Sequence, residues 1–303
     1  MITHETERHT HSNTPGVLIT GANGQLGNEL RRAAVEYGRF RYVFTDVEEL
    51  DITNLAAIKN CLTKNDIAYI VNCAAYTAVD KAEDDAALCY KINRDAVENL
   101  AVAAKEHAAR LIHVSTDYVF DGKNYRPYIE TDPVCPESIY GKSKLAGEQT
   151  VQTVLPESII IRTAWLYSAF GNNFVKTMLR LGKERDSLNV VFDQTGTPTN
   201  AFDLAIAICE ILLFSENNSF KPGIYHYSNE GVCSWYDFAK SIFRLASMNS
   251  MKVNPIEGKD YPAKAPRPHY SVLNKKKIKE TFGIVIPHWE SSLNETMNRL
   301  ENF

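Results

Sequence analysis

Tyr140 and Lys144 stand four residues apart in the stretch Ser138-Ile-Tyr-Gly-Lys-Ser-Lys144. On a helix both side chains then leave one face, a turn apart. A phenol is a weak acid and a scarce base at neutral pH, with an unperturbed pKa of about 10. An ammonium held close favours the phenolate and brings the phenol nearer the working pH. The pair is therefore expected to move a proton, with Lys144 biasing the Tyr140 phenol downward. Spacing alone does not single it out, because Tyr236 and Lys240 repeat it. The surroundings do.

The first pair follows a glycine-rich turn and a strand that ends in Ser115-Thr116-Asp117; the second has neither and reads as an ordinary helix surface. Val17-Leu18-Ile19-Thr20 is an apolar run that opens into Gly21-Ala-Asn-Gly24-Gln25-Leu26-Gly27, and Asn28 to Tyr37 reads as a helix with Leu26, Leu30, Ala33 and Ala34 inward. Strand, glycine turn and helix in this order make a phosphate cradle. Glycines permit close backbone approach, and the helix start presents unpaired N–H groups to a pyrophosphate. The second strand, Tyr42-Val-Phe-Thr45, ends at Asp46, about 20 residues on, where an acidic side chain meets the adenosine ribose of a dinucleotide. Asp51-Ile52-Thr53 is expected to cap a helix from Asn54 to Leu62, with Asp51 facing the adenine.

Ile67 to Asn72 reads as a buried strand, and Cys73-Ala74-Ala75 after it offers small residues where a cofactor can lie flat. Val79 to Glu83 leads into a helix carrying Asn93, Val97 and Leu100. Leu111-Ile-His113-Val114 is the next strand, with His113 expected as a core histidine. Ligands in open α/β sheets sit outside the carboxyl ends of such strands. Ser158 to Thr163 is a further strand, so five or six strands alternate with helices in a doubly wound parallel sheet. Beyond Trp165 the rhythm changes: a helix is expected over Asn172 to Gly182, a strand at Val190-Val-Phe192 and a buried helix over Asp203 to Phe214. The whole predicts hydride transfer from NADH or NADPH to a carbonyl. Thr116 (or Ser115) donates a hydrogen bond to that carbonyl, and Tyr140 protonates the forming alkoxide.

Composition bounds the setting. The chain of 303 residues is long enough for a sizeable core and two lobes, is 44% hydrophobic and 23% charged, and carries a net charge of −4. Nothing here calls for nucleic acid. The six cysteines form no CxxC pair and read as reduced thiols, and no apolar run reaches the roughly 18 residues of a membrane span. The polar start, with His4, His9 and His11, is unlike a secretory leader, so a cytoplasmic protein is expected. Residues 1–14 are expected to be a disordered polar tail and 15–165 the dinucleotide-binding domain. Residues 166–303 are then mainly a substrate-binding lobe, with about 188–214 returning to the first domain. Arg267, set between Pro266 and Pro268, is the leading candidate to grip a substrate diphosphate.

The sequence resembles the extended short-chain dehydrogenase/reductase superfamily and, within it, the dTDP-4-dehydrorhamnose reductase family, from Gly16 to about Leu300. The shared markers are the glycine turn, Tyr76-Thr-Ala-Val-Asp80-Lys-Ala-Glu83, Ser115-Thr-Asp-Tyr-Val-Phe120, Tyr140 to Glu148, Arg162-Thr-Ala-Trp165, Gly171-Asn-Asn-Phe174, Asp193-Gln194 and Arg267-Pro268 with Ser271 and Leu273. The resemblance implies a Rossmann-type α/β fold with a smaller C-terminal α/β substrate lobe. It implies catalytic Thr116, Tyr140 and Lys144, with Lys144 also on the nicotinamide ribose. Gly24, Gln25, Leu26, Asp46, Asp51, Ile52, Ala74 and Ala75 would contact NADPH or NADH, and Asp117, Trp165 and Asn173 the substrate. The implied reaction reduces the 4-keto group of dTDP-6-deoxy-L-lyxo-4-hexulose to dTDP-L-rhamnose. No protein metal ligands are expected; Mg2+ and a homodimer are left open. A dehydratase of the same fold needs a further carboxylate pair, and here Tyr118 rather than Glu follows Asp117. An epimerase and a non-catalytic regulatory subunit are the other readings.

Overall fold

The protein is represented by a computed structural model, and the structure describes residues 14–301; the expected tail with His4, His9 and His11 lies outside the described residues except for Thr14. Along the chain run β1 (Gly16–Thr20), α1 (Gln25–Glu36), β2 (Arg41–Thr45), α2 (Leu55–Lys64), β3 (Ile67–Asn72), the short α3 (Val79–Ala82) and α4 (Ala86–Tyr90), α5 (Ala96–Glu106), β4 (Arg110–Thr116), α6 (Ile139–Val154) and β5 (Ile159–Thr163). After them come β6 (Leu166–Tyr167), α7 (Phe174–Glu184), β7 (Ser187–Val191), β8 (Thr195–Gly196), β9 (Thr199–Asn200), α8 (Ala201–Asn217), β10 (Gly223–His226), β11 (Cys233–Ser234), α9 (Trp235–Leu245), β12 (Lys252–Ile256), α10 (Lys276–Phe282) and α11 (Trp289–Glu301).

Six strands form one parallel sheet in the order β2-β1-β3-β4-β5-β10. Their near-continuous apolar runs follow from burial on both faces. Alternate residues point to opposite sides. Val17, Ile19, Val71, Ile159 and Ile161 join one core with α1 and α8, while Leu18, Ile70, Leu111 and Ile160 join the other with α2 and α5. The doubly wound parallel sheet read from the sequence is therefore present. From β1 the chain first steps outward to β2 and then returns to β3 on the other side. That reversal opens a crevice at the carboxyl ends of β1 and β3.

Several expected boundaries move. α1 begins at Gln25, inside the glycine turn. Asn54, not Asp51, caps α2: its side chain accepts the Ala57 N–H at 3.1 Å, and Asp51 instead turns back onto the Thr53 N–H at 2.8 Å. The helix expected around Asn93 is split into α3, α4 and α5, with a π-helical turn at Lys91–Asp95. Asn93 explains the turn, because its buried amide bonds both backbone groups of Tyr76 and the Ser143 hydroxyl. The strand expected at 190–192 runs over Ser187–Val191 and leaves Phe192 half exposed; it pairs with β12 away from the main sheet. Within the expected 188–214, β7 stays apart from the main sheet while α8 packs on α1, and β10, further along, pairs with β5. A third core, built from Tyr167, Phe238, Ile242, Trp289 and Leu293, holds the remaining C-terminal elements together. Among the described residues no helix is long and apolar enough to cross a membrane.

Candidate active site

A cleft of about 900 Å³ lies over the carboxyl ends of the sheet. One wall is the glycine turn. Gly21 takes a φ of +65°, and a Cβ there would stand 2.7 Å from the Ala74 backbone, so the turn and the β3 end touch only because the residue is glycine. Gly24 caps α1 without a side-chain hydrogen bond, leaving the first helical N–H groups without a capping acceptor for an anion to meet. Asp46 fixes the turn's outer edge, accepting the Asn23 N–H at 2.9 Å and the Val47 N–H at 2.8 Å. Gly21, Gly24, Gln25, Leu26, Gly27, Asp46, Asp51, Ile52, Ala74 and Ala75 all line this one cleft. A dinucleotide fits these residues. The cradle is open where side chains would fill it, and the buried Ser115 hydroxyl has no partner among the protein groups.

The opposite wall is α6, whose N-terminus is set by Ser138 accepting the Gly141 N–H at 3.1 Å. Its first turns carry Tyr140 and Lys144 into the cleft beside Ser115 and Thr116 at the end of β4 and Asp117 just past it. Tyr140 is 9% exposed and packs edge-on against Tyr118 with centroids 5.4 Å apart. Its phenol faces the Thr116 hydroxyl. The Thr116 hydroxyl in turn donates to Asp117 Oδ1 at 2.8 Å. Burial pushes the phenol pKa up, against the Thr116 hydroxyl, which lowers it. In the ligand-free protein burial thus outweighs any lowering of the phenol by Lys144. Lys144 Nζ donates instead to the Val114 carbonyl at 2.8 Å, and burial brings its ammonium down to about 8 despite the nearby Glu148 carboxylate. Burial likewise raises Asp117 to about 6, with the Thr116 hydroxyl opposing.

Trp165 also lines the cleft, with a positive φ of +48°. Its indole stacks on Trp235 at 3.5 Å and 9°. Two expected residues stand beside the cleft and not in its lining. Asn173 is spent as the cap of α7, accepting the Lys176 N–H at 3.1 Å, and its amide donates to Gln25 Oε1 at 3.0 Å; its neighbour Asn172 faces the cleft. Arg267 stands outside the cleft lining, paired with Asp80 at 2.6 Å. His113 is a core residue, with Nδ1 on the Asn72 amide at 3.0 Å. Cys73 lines the cleft with Ala74 and Ala75, and Thr77 and Ile92, which were not anticipated, line it too; only their place after a strand end, or on the facing helical turn, could have suggested those two. Among the described residues no group of three or more His, Cys, Asp or Glu could hold a metal.

Comparisons with known proteins agree with this arrangement. Residues 15–302 match the family described as RmlD substrate binding domain. The dTDP-4-dehydrorhamnose reductase of Aggregatibacter actinomycetemcomitans is 46% identical over 285 residues, covering 91% of this chain and 96% of that protein. The crystal structure of a dTDP-4-dehydrorhamnose reductase from Clostridium acetobutylicum superposes with a TM-score of 0.89 at 45% identity, covering 94% of this chain and 99% of the other. That of Bacillus anthracis, in complex with NADP, gives 0.88 at 40% identity and the same coverage. The chain belongs to the dTDP-4-dehydrorhamnose reductase family of the extended short-chain dehydrogenases/reductases.

Proposed function

We infer that the protein reduces the 4-keto group of dTDP-4-dehydrorhamnose to dTDP-L-rhamnose, using NADPH or NADH. The observation that carries this reading is the meeting of Tyr140, Thr116 and Lys144 in the same cleft as the glycine turn. The α1 N-terminus receives the cofactor diphosphate, Asp46 the adenosine ribose, and Ala74-Ala75 the flat side of the molecule. The bound cofactor supplies the hydride. Tyr140, protonated because its site is dry, gives its proton to the oxygen that becomes the 4-hydroxyl. Thr116 turns its hydroxyl from Asp117 and donates to the same oxygen once the ketone is bound. Lys144 holds the nicotinamide ribose and places a positive charge where the phenolate forms, before solvent restores the proton. Asp117 and Trp165 lie beside these groups and contact the sugar. An epimerase on this scaffold would consume no cofactor, so the stoichiometry of NAD(P)H oxidation to product tests the class: one to one is expected, and turnover without net oxidation would contradict the reading. The free cysteines fit a cytoplasmic setting, and light scattering would read whether the chain forms a homodimer.

NADH should serve at least as well as NADPH, because the Asp46 carboxylate would repel a 2′-phosphate and no Arg or Lys lies between Thr45 and Asn54. Asp46→Ala should shift the ratio of kcat/KM values toward NADPH by roughly tenfold or more, the scale of one charge-assisted hydrogen bond. A wild-type ratio clearly favouring NADPH would place a more distant cation over the local carboxylate.

A further inference from the structure

Asp80, on α3 just past the Cys73–Thr77 segment of the cleft, turns its carboxylate to a segment far along the chain. Oδ1 accepts the N–H of Lys264 at 3.2 Å and of Ala265 at 3.0 Å. Oδ2 takes Arg267 Nη2 at 2.6 Å. One turn on, Asp84 pairs with the Lys264 ammonium. On its other side, Arg267 Nη1 lies 3.5 Å from the Tyr118 hydroxyl, and Tyr118 is the ring against Tyr140. Beyond Arg267, Pro268 packs over Gly122, and Tyr270 N–H bonds the Gly122 carbonyl at 3.0 Å.

A free arginine side chain samples many rotamers, and a ligand must overcome that entropy. Here one carboxylate holds both the guanidinium and the backbone two and three residues before it. The two flanking prolines limit what remains. Only one edge of the fork is engaged by Asp80, and a guanidinium has five donors. We propose that Asp80 is a positioning residue that holds Arg267 ready for the diphosphate of the nucleotide sugar. The proposal rests on the reading that Arg267 receives that diphosphate. Its consequence is that a residue attached to the cofactor-side wall sets affinity for the other substrate.

Binding of dTDP to the full-length protein, followed by calorimetry, tests it apart from turnover. Arg267→Ala should weaken dTDP by tenfold or more, and Asp80→Ala by roughly three- to tenfold through lost preorganisation. In the Arg267→Ala background, Asp80→Ala should change nothing further. In steady state, Asp80→Ala should raise KM for the sugar nucleotide while kcat and the KM for NADH stay near wild type, and Asp80→Glu should recover part of the loss. If Arg267→Ala binds dTDP as wild type does, the diphosphate reading itself falls. If Arg267→Ala weakens binding but Asp80→Ala does not, tightens it, or weakens it equally in both backgrounds, Asp80 does not act through Arg267.

Discussion

Tyr140→Phe should lower turnover by about 10²–10⁴-fold, the usual range for loss of a general acid, while NADH and dTDP still bind. The substitution removes one oxygen and keeps the ring that packs edge-on against Tyr118. The rest of the wall should therefore stand, including the Thr116–Asp117 hydrogen bond at 2.8 Å. Burial raises the phenol pKa in the ligand-free protein. Across the neutral range the group is thus a proton donor in waiting, which suits reduction of a ketone. Tyr236→Phe is the control, because Tyr236 shares the spacing to a lysine but sits on α9, away from the cleft. Turnover of Tyr140→Phe within a few-fold of wild type would remove Tyr140 from the chemistry.

Lys144→Met should make the protein nearly inactive and also more stable. Lys144 is 2% exposed and its ammonium is held at about 8, against 10.5 for an ordinary lysine. A depressed lysine means that the unfolded chain binds more protons between those two values. Stability should therefore rise with pH through that window, and below about pH 8 the cost of the buried charge is fully present. At 1.36 kcal/mol per pKa unit this cost is on the order of 3 kcal/mol at pH 7, offset in part by the lost bond to the Val114 carbonyl. Denaturant melts at pH 7 should show Lys144→Met more stable than wild type by about 1–3 kcal/mol, with a flatter pH dependence between 8 and 10.5. Turnover should drop by roughly 10²-fold or more, the scale of losing a preorganised charge at the reacting centre. A variant less stable than wild type at pH 7 would show that Lys144 is not held at a cost for function.

The elements that carry the site were legible because each has a local signature. The apolar runs of β1, β3 and β4 and the glycine turn could not be read another way. Tyr140, Lys144 and Thr116 follow from a helix placed after a strand end. What escaped is what tertiary contacts decide. Asp51 and Asn54 are both good helix caps, and only the folded geometry chooses Asn54. The π-helical turn depends on Asn93 reaching Tyr76 and Ser143, 17 and 50 residues away. β10 is four residues long and gains its place only by pairing with β5. Lys144 looked like the partner of the phenol, yet depth of burial, which spacing does not encode, outweighs it. Arg267 was visible as a lone cation between prolines, whereas Asp80, 187 residues earlier, was not visible as its partner.

Reduction at C4 is tested most directly by following the hydride. Wild-type protein would be given dTDP-4-dehydrorhamnose and NADH carrying deuterium at the transferable position, and the product examined by NMR and mass spectrometry. The account predicts dTDP-L-rhamnose with one deuterium at C4 and one NADH oxidised per sugar reduced. Deuterium at any other carbon, or unlabelled product formed without net oxidation of NADH, would contradict it.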